Sequence, residues 1–231
     1  MFTRYCPLFV SLQGRICLVV GGGQVAERKI RTILPYGPSI RVVSRNLTDW
    51  LQEQHDLGLL VHAGTQYHCR QLEGVHLAFA TTDDSALNIK VAADAQERRI
   101  WCNMATDPQM GSMVVPAIVE QGPLTIAIST SGLSPAAARQ IRLILEQQFG
   151  SEWATYLTLL GNIRSAIQRK NLGTDENQRV FREIVQLPLL DWFRCGQREA
   201  ALHALHELCR PWLTDTELAM IWKDTCAQYS S

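Results

Sequence analysis

Ile16-Cys17-Leu18-Val19-Val20-Gly21-Gly22-Gly23-Gln24-Val25-Ala26 is the stretch that decides the fold. Residues 15–20 form a short apolar run rich in branched side chains, which suits a strand buried on both faces. The run stops at Gly21. A helical pattern follows from about Val25 to Leu34 and is closed by Pro35 and Gly37. Gly21, Gly22, Gly23, Gln24 and Val25, with Ala26, fit the Gly-x-Gly-x-x-Ala form of a dinucleotide-binding loop. In that form Gly21 allows a tight turn, Gly23 lets backbone approach a pyrophosphate, and Ala26 lets helix and strand pack closely. The unpaired N–H groups and positive dipole end of the new helix face the phosphates. Alone the motif is weak. The strand before it, the helix it opens and the strand after it give it weight.

Working outward, residues 39–44 read as a second strand, 59–61 as a weaker third, 76–81 as a fourth and 100–103 as a fifth. Residues 86–97 are helical. Strands alternating with helices predict a Rossmann-like doubly wound parallel sheet over residues 1–112. The pattern then changes. Residues 113–119 and 124–129 read as two strands, with Gln121-Gly122-Pro123 turning between them. Ser134 as N-cap and Pro135 at the first helical position start a helix that runs to Gly150. These elements form a small strand–helix region, residues 113–150. Residues 151–231 are predicted helical, with Thr214-Asp215-Thr216-Glu217 in the form of a capping box.

The 22 basic and 22 acidic residues cancel. That balance predicts neither a nucleic-acid-binding nor a membrane-surface protein. The N-terminus lacks the pattern of a secretory signal, and the apolar runs are short for a membrane span. Seven cysteines are scattered without a Cys-x-x-Cys pair, which suits a reducing cytoplasm. Cys17 and Cys102 fall inside strands, where a thiol acts as a small apolar group.

The second strand ends Val43-Ser44-Arg45-Asn46, where NAD-binding folds usually carry an acid for the ribose. Ser44 offers a hydrogen bond to the ribose. Arg45 is either a partner for a 2′-phosphate or a solvated loop residue, so NAD against NADP stays open at this point.

Several segments together resemble one family. They are Pro7-Leu8-Phe9, then Gly21 to Lys29, then Ala80-Thr81-Thr82-Asp83-Asp84 with Asn88, then Cys102-Asn103, and last Ser129-Thr130-Ser131-Gly132-Leu133-Ser134-Pro135. In this order and spacing, over roughly residues 7–142, the chain resembles the precorrin-2 dehydrogenases and the dehydrogenase–ferrochelatase module of siroheme synthases. The resemblance implies oxidation of precorrin-2 to sirohydrochlorin with hydride transfer to NAD, and in some members iron insertion. It implies a Rossmann domain, a dimerisation region over residues 113–150, a homodimer, and a helical C-terminal part. Larger relatives add a methyltransferase domain, which is not expected within these residues. By the same resemblance, Gly21, Gly22, Gly23, Gln24 and Val25 hold the cofactor. Ser44, Arg45 and Asn46 meet its adenosine part, and Thr81, Thr82 and Asp83 lie at the fourth strand end. Asp83-Asp84 reads equally well as a helix cap before Ala86.

The reaction needs an acceptor for a proton, and a carboxylate is a natural general base. The family shows an Asn-x-x-Asp arrangement after the fifth strand. Here the chain reads Asn103-Met104-Ala105-Thr106-Asp107-Pro108, so the family position falls on Thr106 and the acid comes one residue later. Three readings stand: Asp107 serves as base, Thr106 orients substrate while water takes the proton, or the site keeps dehydrogenation and loses chelation. Asp-Pro is also a common turn starter. Thr106 and Asp107 are the catalytic candidates. Asn103, Ser131, Gly132 and Ser134 are the expected substrate contacts, since the carboxylates of precorrin-2 suit the N–H groups of a loop and helix start. Arg139 and Arg142 read better as surface residues.

No metal site is expected. His203, His206 and Cys209 recur at a spacing of three, but one helix seldom supplies a closed ligand set, and an amphipathic helix explains them better. The alternative to an enzyme is a dinucleotide-sensing or tetrapyrrole-carrier module without chemistry. The Thr106-Asp107 segment favours it, and the Ser131–Pro135 motif argues against it.

Overall fold

The computed structural model describes residues 4–107, 110–170 and 172–228. Pro108, the partner of Asp107 in the suspected turn, lies outside them. The chain divides into two compact units. The first runs to Val115 and takes in Ser131–Leu133; the second holds Pro116–Thr130 and the chain from Ser134 onward.

The first unit is a five-stranded parallel sheet in the order β3-β2-β1-β4-β5. Its elements are β1 (Ile16–Val20), α1 (Gln24–Ile33), β2 (Ser39–Val43), α2 (Asp49–Asp56), β3 (Leu60–His62), β4 (Leu77–Ala80), α3 (Ser85–Glu97) and β5 (Trp101–Met104). β1 is buried on both faces, as its unbroken apolar run requires. Leu18 and Val20 pack with Val91, Ala92 and Ala95 of α3. Cys17 and Val19 pack on the other face with Ala26, Ile30 and Ile33 of α1 and Leu51 of α2. Burial pushes the thiols of Cys17 and Cys102 up to about 11, so both remain neutral apolar filler.

Two details differ from expectation. α2 was not signalled by an apolar run, yet it forms behind Thr48, whose hydroxyl accepts from Leu51 N at 3.3 Å. The strand expected over residues 113–119 starts late, as β6 (Ala117–Gln121). Pro116 has no N–H to give to a ladder. Ser112 N and Met113 N donate to Cys102 O, and Met113 and Val115 pack on the α1 side of the sheet.

The second unit holds β6 and β7 (Leu124–Ile128), an antiparallel pair, then α4 (Pro135–Gln148), α5 (Glu152–Gln168), α6 (Thr174–Gln186), α7 (Leu189–Arg194), α8 (Arg198–Cys209) and α9 (Asp215–Gln228). Ser134 caps α4, its oxygen accepting from Ala137 N at 3.1 Å, and Pro135 follows at the first position. Leu159, Ile163, Ile167, Ile184, Leu189 and Leu205 fill the core between the helices. His206 pairs with Asp215 at 2.9 Å, and no cluster of metal-ligating side chains occurs among the described residues. No described helix is long and apolar enough to cross a membrane.

The capping box at α9 forms in full. Glu217 accepts from Thr214 N at 2.9 Å, and Thr214 Oγ1 accepts from Glu217 N at 3.2 Å. The Lys170 ammonium, 2.6 Å from Glu217, is the largest influence holding that carboxyl down to about 2. A carboxyl whose pKa falls on folding stabilises the fold above its unfolded value and ceases to do so as pH drops through the folded one. Wild type and Glu217→Gln should therefore differ in melting temperature at pH 6 and converge as the pH approaches 2. A difference that stays constant over that range would remove the ion pair from the stability of this unit.

Candidate functional site

α1 leaves β1 on one face of the sheet and α3 leaves β4 on the other. β1 and β4 are neighbours, so a crevice opens between their carboxyl ends, the place where such sheets bind ligands. A cavity of about 810 Å³ lies there. It gathers Gly21, Gly22, Gly23, Gln24, Val25, Ser44, Arg45, Thr81, Thr82 and Asp83 from the expected set.

Each glycine of the loop answers a different demand. Gly21 has φ 120°, and a Cβ there would lie 2.6 Å from Thr81 Oγ1. Thr81 is buried against it, with N and Oγ1 both donating to Val20 O at 2.9 Å. A Cβ on Gly22 would collide with the carbonyl oxygen of Asn46. Gly23 is different: a Cβ there meets nothing within 4 Å. Gly23 is also the N-cap of α1 and brings no side chain to the first N–H groups of the helix. Open space before a bare helix start suits an anionic pyrophosphate.

The loop after β2 is tied to this turn. Thr48 N donates to Gly22 O at 3.0 Å, and Thr48 Oγ1 donates to Glu27 Oε2 at 2.6 Å. That hydroxyl, and then Arg31, hold the Glu27 carboxyl below its ordinary range. Ser44 lines the cavity, and its Oγ donates to Asn46 O at 2.7 Å, so its hydrogen is spent and the oxygen is left only as an acceptor. Arg45 lines the cavity, whereas Asn46 stands outside the lining and presents its carbonyl to Gly22. Of the paired acids, Asp84 is the helix cap, accepting from Ala86 N at 2.9 Å and Leu87 N at 3.1 Å. Asp83 is exposed on the cavity wall.

Thr106 and Asp107 follow β5 on the neighbouring strand end and are exposed; neither belongs to the cavity lining. Ala105 N donates to Ala80 O at 3.0 Å, which pins this segment to β4. Asn103 is buried, its Nδ2 donating to Met113 O at 3.0 Å while Oδ1 finds no partner among the described residues. Ser131, at φ 53°, and Gly132, at φ 80°, form the turn into α4. There Ser134 N donates to Thr130 Oγ1 at 3.2 Å.

Two features of the site were given no role by the sequence, although Asn88 belongs to one of the family segments. Thr65, Gln66 and Tyr67 line the cavity from the crossover after β3, which contains only a short 3-10 turn, Cys69–Leu72. The Tyr67 hydroxyl donates to Asp94 at 3.0 Å, and burial with this bond pushes its pKa up, so it stays a neutral donor. The second is Asn88, fully buried in α3 and bonded to both Thr82 and Thr106. Its signal was a polar residue on the face that carries Val91, Ala92 and Ala95.

Comparison with known proteins agrees with this geometry. Residues 8–117 match a family described as putative NAD(P)-binding, and residues 121–148 match the central region of sirohaem biosynthesis proteins. The siroheme synthase of Photobacterium profundum is 31% identical over 217 residues, covering 94% of this chain and 46% of that protein. The siroheme synthase of Pseudomonas fluorescens is 37% identical over 208 residues, covering 88% of this chain and 44% of that protein. The chain is a homologue of the siroheme synthases. It spans less than half the length of these siroheme synthases. Its fold is shared with a solved structure described as SirC, precorrin-2 dehydrogenase, at a TM-score of 0.72 and 24% identity, covering 97% of this chain and all of that one.

The three glycines separate fold from binding. Gly22→Ala should lower the melting temperature, because the new methyl meets backbone. Gly23→Asp should melt like wild type yet lose dinucleotide affinity by roughly a hundredfold or more, since its carboxylate faces the phosphates. Calorimetric titration checks both, and wild-type affinity in Gly23→Asp would sink the loop assignment.

Proposed function

We propose that this chain oxidises precorrin-2 to sirohydrochlorin, with NAD as the hydride acceptor. The observation that carries this is the glycine loop at the switch point of the sheet, opening on a cavity of dinucleotide size. Similarity to siroheme synthases and the fold shared with a structure described as SirC, precorrin-2 dehydrogenase, support precorrin-2 as the substrate. The bound nicotinamide supplies the acceptor for a hydride and its two electrons.

The residues of the chain do the rest. N–H groups from Gly22 to Val25 bind the pyrophosphate. Ser44 accepts from the ribose, Arg45 borders the adenosine, and Asn46 holds the glycine turn. NAD is preferred over NADP because Ser44 accepts from a free hydroxyl. Thr81, Thr82 and Asp83 border the nicotinamide end. Asp107 receives the proton that leaves with the hydride, and Thr106 orients the substrate. Asn103, Ser131, Gly132 and Ser134 contact the tetrapyrrole, the last three through the N–H groups of a turn and helix start that favour carboxylates.

The working division is a dinucleotide domain over residues 1–112, a dimerisation region over 113–150 and a helical domain over 151–231. Exposed Ile141 and Ile144, one turn apart on α4, support a homodimer through the middle region. Seven cysteines with no disulfide among the described residues favour a cytoplasmic setting.

The test is an anaerobic absorbance assay with precorrin-2 and either NAD or NADP, followed by ferrous iron or cobalt to read chelation. NAD-dependent formation of sirohydrochlorin is expected. Asp107→Ala should lower turnover by roughly a hundredfold, the ordinary contribution of a positioned base, without changing the melting temperature. Unchanged turnover would remove Asp107 from the mechanism. Binding of both dinucleotides without turnover would favour the sensing or carrier module.

A further inference from the structure

We infer that Asn88 is the positioning residue of this site, locking the turn after β4 and the loop after β5 into one geometry. The inference rests on the reaction proposed above, in which Thr82 borders the cofactor and Thr106 and Asp107 serve the substrate.

The Asn88 side chain is 0% exposed and lies on the core face of α3, where an apolar residue would pack at no polar cost. A buried amide is tolerated only when paired. Its bonds all run to the two strand ends. Oδ1 accepts from Thr82 N at 3.1 Å and from Thr82 Oγ1 at 2.7 Å. Nδ2 donates to Thr82 O at 2.8 Å and to Thr106 Oγ1 at 3.4 Å. The amide thus pairs with both main-chain groups of Thr82, as a neighbouring strand would, at a point where β4 has ended. It then reaches across to Thr106, 18 residues away.

These bonds do little for α3 itself, whose start is already capped by Asp84. Beside the bond from Ala105 N to Ala80 O at 3.0 Å, they add a second tie that sets one loop against the other. Thr82 lines the cavity, so fixing Thr106 to it fixes the catalytic segment relative to the cofactor. Misplacement by about 1 Å is enough to cost a hundredfold in rate.

Two readouts test this. The first needs no substrate: amide hydrogen exchange of the free protein. Asn88→Ala should speed exchange at Thr82, whose N–H loses its acceptor, and also in the segment from Ala105 to Asp107. Faster exchange at Thr82 with an unchanged 105–107 segment would overturn the coupling. The second is a double-mutant cycle on turnover. Asn88→Ala and Thr106→Val should each lower kcat by roughly tenfold to a hundredfold, and together no more than the worse single change, because each breaks the same link. Additive losses, or wild-type kcat in Asn88→Ala, would overturn the proposal. If Asn88→Ala gives no cooperative melt, Asn88→Asp takes its place in both measurements. It keeps the size and the two acceptor bonds but has no N–H to give, so its exchange readout is the 105–107 segment alone, and an unchanged rate there would overturn the coupling. If wild type itself fails to turn over precorrin-2, the functional reading fails, and the exchange result still decides whether Asn88 couples the two loops.

Discussion

β1 and β4 lie side by side, and the helices that follow them go to opposite faces of the sheet. Everything else about the site depends on that arrangement. No helix can cover the gap between the two strand ends, so a crevice remains at their carboxyl side. The chain fills its rim with backbone. Gly21 and Gly22 let the turn press against Thr81 and Asn46, where a methyl group has no room. Gly23 stands on the open side, where a side chain would fit the protein but not a phosphate.

The polar groups around the crevice divide into those that hold the protein together and those left for a ligand. Thr81 Oγ1 is used on Val20, the hydrogen of Ser44 on Asn46, Asp84 on the cap of α3, and Glu27 on Thr48 and Arg31. What remains in the cavity lining is the start of α1, Ser44 as an acceptor, Arg45 and Asp83. That residue suits an anionic, hydroxyl-rich ligand better than an apolar one. The Asn88 amide belongs to the first group in its bonding and to the second in its consequence, since it relates the cofactor turn to the segment carrying Thr106 and Asp107.

The sheet and its glycine loop were legible because their signals are local. An unbroken apolar run, a Gly-x-Gly-x-x-Ala turn and a helical period sit within about a dozen residues of one another. The cap at Ser134 and the box at Thr214 and Glu217 were legible for the same reason, since a cap is chemistry between residues three apart. Other features were not. The segment 63–76 runs from β3 to β4 on the α3 side of the sheet without a full helix, so Thr65, Gln66 and Tyr67 give no period to recognise. The apolar pattern begins at Met113 but β6 only at Ala117, because Met113 and Val115 are apolar for packing on the sheet and not for pairing in a ladder.

Residue order by itself determined the fold class, the position of the phosphate loop and the absence of a carboxylate at the end of β2. It left two questions undecided: which acid of Asp83-Asp84 caps the helix, and what a buried asparagine at position 88 is for. Tertiary structure decided both. A carboxylate caps a helix only if its oxygen reaches the first N–H groups, and the chain path into α3 gives that reach to Asp84. An amide has meaning only through its partners, and those of Asn88 are 6 and 18 residues away. Only the parallel pairing of β4 with β5 brings them to one place.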